Sequence, residues 1–177
     1  RAAGGQLHKP LLPKANSTQI TPNAQLVTGK SGSTSGTHET GSNVKVSDEQ
    51  GNVTGIVEEG EIIVDDVVLS KRNGAAQAYT KLQDMNAQLI KAHGDTDNIL
   101  KQKAINGALR EIKRSEKQLI ETINNPIGDY DWDSSFDRNK ICIDEIETKL
   151  GIDLREVETQ EKVKTEDIID ALDWLFY

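Results

Sequence analysis

Cysteine, aromatic side chains and long apolar runs are all scarce in this sequence. One cysteine, Cys142, among 177 residues cannot form an internal disulfide, which excludes a disulfide scaffold. No apolar run approaches the roughly 20 residues that a bilayer-spanning helix needs, so no membrane contact is expected. Aromatic residues contribute 4% and hydrophobic residues 35% of the chain, with a mean hydropathy of −0.57. A chain so poor in apolar side chains builds a modest core, which predicts an elongated, partner-dependent molecule. An initiator methionine and the apolar stretch of a signal peptide are also missing, as expected of a fragment or a protease product.

Acids are absent from residues 1–35, where Arg1, Lys9, Lys14 and Lys30 are the only charged residues. Residues 125–177 reverse this, with fifteen acids against six bases in a chain of net charge −8. Pro10, Pro13 and Pro22 bias the opening toward extended backbone, and the Gly-Ser-Thr run ending at Ser35 has linker composition. Residues 1–35 are therefore expected to form an extended basic arm. Its Leu11, Leu12 and Leu26 are too scattered for a core and are expected to dock on a neighbouring subunit. Its four cations suit a weak nucleic-acid contact at most, because no aromatics are interleaved with them.

Residues 36–72 carry four short β-branched runs: Asn43 to Val46, Asn52 to Val57, Glu61 to Val64 and Val67 to Ser70. Glycine and acidic residues separate them, which is the pattern of a small antiparallel meander. The SDEQG link has turn chemistry, and Gly60, between Glu59 and Glu61, is placed for a positive-φ turn that starts the Ile62-Ile63-Val64 strand.

The order Gly36-Thr37-His38-Glu39, Gly41, then Val57-Glu58-Glu59-Gly60-Glu61-Ile62-Ile63-Val64 and finally Ser70-Lys71-Arg72 resembles a module of tailed-bacteriophage virion proteins. In that module a glycine-histidine-glutamate turn precedes a valine-glutamate-glycine-glutamate strand and a basic residue. About a fifth of the chain is covered by this resemblance. Ser42 stands where the module commonly has a second glycine, and Asp65-Asp66 where it has Asn-Arg. The resemblance implies a structural component of the virion, internal, portal-proximal or tail-associated, within the capsid or tail of a large oligomeric assembly. Other virion proteins would be its partners, and Gly36, His38, Glu39, Gly41, Glu58, Gly60, Glu61 and Arg72 would be residues of a structural motif.

The remaining chain reads as helical, which makes the fold class α+β. Ala75, Ala78, Leu82, Met85 and Leu89 recur every three or four residues on one helix face. Gly94 is the expected stop and Asp95 or Thr96 the expected restart. A second helix carries Ile99, Ala108, Leu109, Ile112, Leu119 and Ile123 as its stripe and ends before Pro126, giving an antiparallel hairpin over residues 73–124. An acidic loop and short helices are expected over 125–177. Asp129, Asp131, Asp133 and Asp137 alternate as calcium ligands do, but Ser134 and Lys140 occupy the positions of the EF-hand glycine and bidentate glutamate. A surface loop leading into a helix from Phe136 to Leu150, closed by Gly151, is the preferred reading. A secreted or surface calcium-binding interaction module is the alternative function.

The final helix, capped at Thr165, ends on Leu172, Trp174, Leu175, Phe176 and Tyr177, an apolar face that includes aromatic anchors of the kind that dominate interfaces. They are the expected partner-binding residues, together with those of the arm. No catalytic constellation is expected. His8, His38 and His93 show no metal-ligand spacing, and His38-Glu39 has no serine or cysteine nucleophile motif to serve. Cys142 reads as a packed thiol. Neither a cofactor nor a metal is expected, and the chain is read as a non-enzyme.

Overall fold

The computed structural model describes Leu12 and residues 16–28, 44–71, 74–123 and 132–155, with backbone alone at 123 and 132–139. The chain is α+β: among the described residues, six strands precede three helices. It divides into two compact units, Arg1–Lys71 with Ile123–Trp132, and Arg72–Thr122 with Asp133–Tyr177.

In the first unit, strands β1 (Ser17–Thr21), β2 (Ala24–Val27), β5 (Ile62–Val64) and β6 (Val67–Leu69) form an antiparallel sheet in the order β1-β2-β5-β6. Strands β3 (Val44–Ser47) and β4 (Val53–Val57) form a separate hairpin. Register explains how the two meet. Gln25 pairs with Ile63 and Ile63 with Val68, so these residues share a face with Val27, because successive side chains alternate across a strand. Val44 pairs with Val57, and Val46 lies on the same face of the hairpin. Val27, Val44, Val46, Val57 and Ile63 make one buried cluster, with Leu12 and Val68 packed against it. The opposite face of the sheet, with Ala24, Ile62, Val64, Val67 and Leu69, is buried as well.

Two expectations are corrected here. The extended-arm reading fails for residues 17–27, which are two central and edge strands rather than a docking tail. Leu12 packs on the unit's own core and Leu26 is half-buried opposite Ile62, so neither is a free anchor. Leu11, like the rest of 1–11, lies outside the described residues. The reason is that Ala24 and Val27 gain their apolar partners from β5, far along the chain, and local composition does not register such pairings. The single meander is corrected too: its four strands exist, but β4 does not pair with β5, which instead inserts between β2 and β6. Asp65, in the two-residue turn between β5 and β6, has φ 52, a conformation that Asp and Asn tolerate better than most residues.

The second unit contains α1 (Ala75–Gly94), α2 (Ile99–Ile123) and α3 (Trp132–Leu150). Asn106 Nδ2 lies 3.2 Å from His93 Nε2 and Gln83 hydrogen-bonds Glu116, which sets α1 and α2 antiparallel. Gln118 Nε2 donates to Glu145 Oε2 at 3.2 Å and Lys149 pairs with Glu111, so α3 runs antiparallel to α2. Lys81 Nζ donates to the Asp153 carbonyl at 2.6 Å, tying α1 to the end of α3. Ala75, Ala78, Leu82, Met85 and Leu89 are all buried as expected.

The remaining differences are local. Ile99 is 67% exposed, Leu109 is half-buried, and Ile105 with Ser115 completes the stripe that Ala108, Ile112 and Leu119 begin. Gly94 stays inside α1, and Asp95 closes the helix in right-handed geometry. Asn98 caps α2, its Oδ1 accepting from Leu100 N–H at 3.0 Å and Lys101 N–H at 3.2 Å. Helix α3 begins at Trp132, four residues before the expected start. Asp133 and Asp137 therefore lie on helical backbone rather than in a ligand loop, while Asp129 and Asp131 are outside the described residues. Gly151 closes α3 with φ 67, and its N–H donates to the Glu147 carbonyl at 2.8 Å. The final helix over 165–177 also lies outside the described residues.

Candidate functional site

The best-built polar feature of the β unit is the turn from β4 into β5, Glu58-Glu59-Gly60-Glu61. It carries the chain from the hairpin into the four-stranded sheet, so its backbone must bend sharply between two strands buried at Val57 and Ile62. Gly60 supplies the bend with φ 86, a left-handed conformation that costs an L-residue roughly 1–2 kcal/mol. Its N–H donates to the Val27 carbonyl at 2.9 Å, and Val27 N–H returns a bond to the Glu61 carbonyl at 2.8 Å. The turn is thereby fastened to β2.

Glu58 is 0% and Glu61 2% exposed. Glu61 Oε2 accepts the Glu58 N–H at 2.8 Å, and Glu61 N–H donates to the Glu58 carbonyl at 3.2 Å. These bonds make the turn a closed ring of backbone and carboxylate. Burial pushes the Glu61 carboxyl up to about 7, and the neighbouring Glu58 carboxylate adds to the rise; the Glu58 amide, the Ser70 hydroxyl and the Lys71 ammonium oppose it. Lys71 lies across the turn, Nζ donating to the Glu59 carbonyl at 2.5 Å. Chemically, the arrangement can hold or release one proton at Glu61 near neutral pH while its amide and hydroxyl contacts keep the turn shaped.

Glu58, Gly60 and Glu61 of the sequence motif are thus brought together, with Ser70 and Lys71 beside them. Gly36, His38, Glu39, Gly41 and Arg72 lie outside the described residues, as do Leu172, Trp174, Leu175, Phe176 and Tyr177. Sequence reasoning placed the glutamates in the motif but did not foresee their burial, since residue type alone assigns glutamate to the surface.

It also missed three acids of the helical unit. Glu111, 4% exposed, sits between Lys149 of α3 and Arg114 Nη1 at 3.3 Å. Glu147 and Asp144 hold Arg155, whose guanidinium is pushed up mainly by its hydrogen bond to Glu147. The i, i+4 register of Glu111 with Ser115 and Leu119 was the available signal, because it places the acid on the core side of α2.

Cys142 is a buried free thiol whose Sγ lies 3.8 Å from the Gln118 carbonyl, and burial pushes its titration up. Among the described residues, no three His, Cys, Asp or Glu side chains gather as a metal site. No described helix is long and apolar enough to cross a membrane. No protein-family model matches the chain, and neither a curated protein nor a solved structure matches it.

Proposed function

We propose that the chain is a non-enzymatic structural component of a tailed-phage virion, internal, portal-proximal or tail-associated, acting through contacts with other virion proteins. The observation that carries this reading is the construction of the Glu58–Glu61 turn. Glu58, Gly60 and Glu61, three of the residues through which the sequence resembles the virion module, are spent on holding one backbone shape, with Gly60 at positive φ and both glutamates buried. A motif used this way is a structural device, and its polar groups are turned inward to the fold. The correction of the arm leaves the aromatic end, Trp174 to Tyr177, as the proposed anchor to a neighbouring subunit. Such a surface suits helix-in-groove docking.

The test deletes residues 165–177 and follows two readouts. The expected result is unchanged cooperative unfolding of the free protein with loss of incorporation into particles. Loss of cooperative unfolding with normal incorporation overturns the docking role and makes the segment ordinary core.

A further inference from the structure

The exposed side of α2 is basic in a chain of net charge −8. Between residues 100 and 120 the exposed residues include Lys101, Lys103, Arg110, Lys113, Arg114 and Lys117, joined only by Leu100 and Asn106. No exposed acid lies in this interval; Glu121, exposed and paired with Lys117 on the same face, lies just beyond it. Its two acids are turned away: Glu111 is buried against Lys149, and Glu116 is half-buried and hydrogen-bonded by Gln83.

At 100° per residue, Lys103, Arg110, Lys113, Arg114 and Lys117 fall within one sector, opposite the buried Ile105, Ala108, Ile112 and Leu119. The ridge from Lys103 to Lys117 runs about 21 Å along a single helix. Three of the five cations have an acidic neighbour on α2, and all five remain exposed. Arg114 reaches Glu111 at 3.3 Å with 72% of its side chain exposed, and Lys117 meets Glu121 at 3.5 Å with both side chains mostly exposed. The Lys117–Glu121 pair, exposed on both sides, contributes little and yields readily to another anion. Lys113 also faces the half-buried Glu116.

We infer that this ridge is a binding surface for the phosphate backbone of a nucleic acid, read without regard to base sequence. Three features select that partner. The exposed residues from 101 to 117 include no apolar or aromatic side chain, so the face lacks the anchors on which protein partners and stacked bases depend. The cations repeat along a straight helix, matching a linear polyanion that offers about one charge per 1.7 Å of duplex. Two of the five are arginines, whose planar fork suits phosphate oxygens. The site is separate from the acid-free N-terminal segment and does not rest on the virion reading.

Binding carried by five cations depends steeply on salt. For duplex DNA the slope of log K against log salt is expected near −4.5, about 0.9 per neutralised phosphate. The experiment is fluorescence anisotropy of the full chain with a labelled 20-base-pair duplex of arbitrary sequence, from about 50 mM to 200 mM salt.

The triple variant R110Q/K113Q/K117Q, checked for unchanged helical circular dichroism, is expected to lower the slope by about 2.7 and weaken binding several hundred-fold at about 0.1 M salt. Neutralising Lys9, Lys14 and Lys30 in the intact chain is expected to leave that difference in place. No binding at the lowest salt overturns the inference, as does binding that the triple variant leaves intact. Saturable binding of polyglutamate with none of DNA also overturns it, and makes the ridge a contact for an acidic polypeptide.

Discussion

The two units bury glutamates in different ways, and the difference lies in the partners that each gives the carboxyl group. In the β unit, Glu61 is held by the Glu58 amide and the Ser70 hydroxyl, with a second carboxylate close by and Lys71 reaching the Glu59 carbonyl. Its carboxyl is pushed up to about 7. In the helical unit, Glu111 is buried to a similar degree but lies between Lys149 and Arg114. Dipoles and a second carboxylate surround Glu61, whose proton can come and go near neutral pH, whereas Glu111 is given cations, one of them supplied from a neighbouring helix.

The largest expected effect comes from breaking the helical side of this comparison. Lys149→Met leaves the buried Glu111 with Arg114 alone, and stability should fall by about 3 kcal/mol, the low end of the loss when a buried charge loses its partner, because Lys149 itself is 39% exposed. Adding Glu111→Leu should restore most of the loss, because an apolar residue no longer needs the cation. Urea unfolding of the single and double variants measures both, and a double variant no more stable than Lys149→Met would mean that the pair is not the source of the loss.

On the β side the effect is set by pH. Glu61 is raised from 4.5 to about 7, so the folded state binds its proton more tightly than the unfolded chain does. Below pH 4.5 both states are protonated and burial of this group carries no ionisation cost. Between 4.5 and 7 the unfolded chain ionises first and stability falls; above 7 the loss is complete, on the order of 3 kcal/mol. Glu61→Gln should remove this component and make the variant more stable relative to the parent at pH 8 than at pH 4. Thermal melts at the two pH values supply the readout, and an equal difference at both would contradict it.

The smallest effect belongs to the turn itself. Gly60 has φ 86, and a Cβ there would lie 3.2 Å from Lys71 Cδ. Gly60→Val should lose roughly 1 kcal/mol or more, and a melting temperature equal to that of the parent would show that the turn relaxes at no cost.

Much of the fold was legible because it is local. The faces of α1 and α2 follow from apolar spacing, and the four strands after residue 43 from β-branched runs. The cap at Asn98 and the start of α3 at Trp132 were less legible, since several polar residues in each stretch could begin a helix and packing selects among them.

By itself the sequence determined the α+β class, the helical hairpin, the positive-φ turn at Gly60 and the absence of a disulfide framework. All of these depend on side-chain periodicity or on single-residue backbone preference. Only the tertiary structure decided that residues 17–27 join β5 in a sheet, that Glu58, Glu61 and Glu111 are buried, and that Lys103, Arg110, Lys113, Arg114 and Lys117 share the exposed face of α2. Those features depend on groups distant in the chain coming together in space: strand partners, a cation from another helix, and a core that turns one face of α2 inward and leaves the other to solvent.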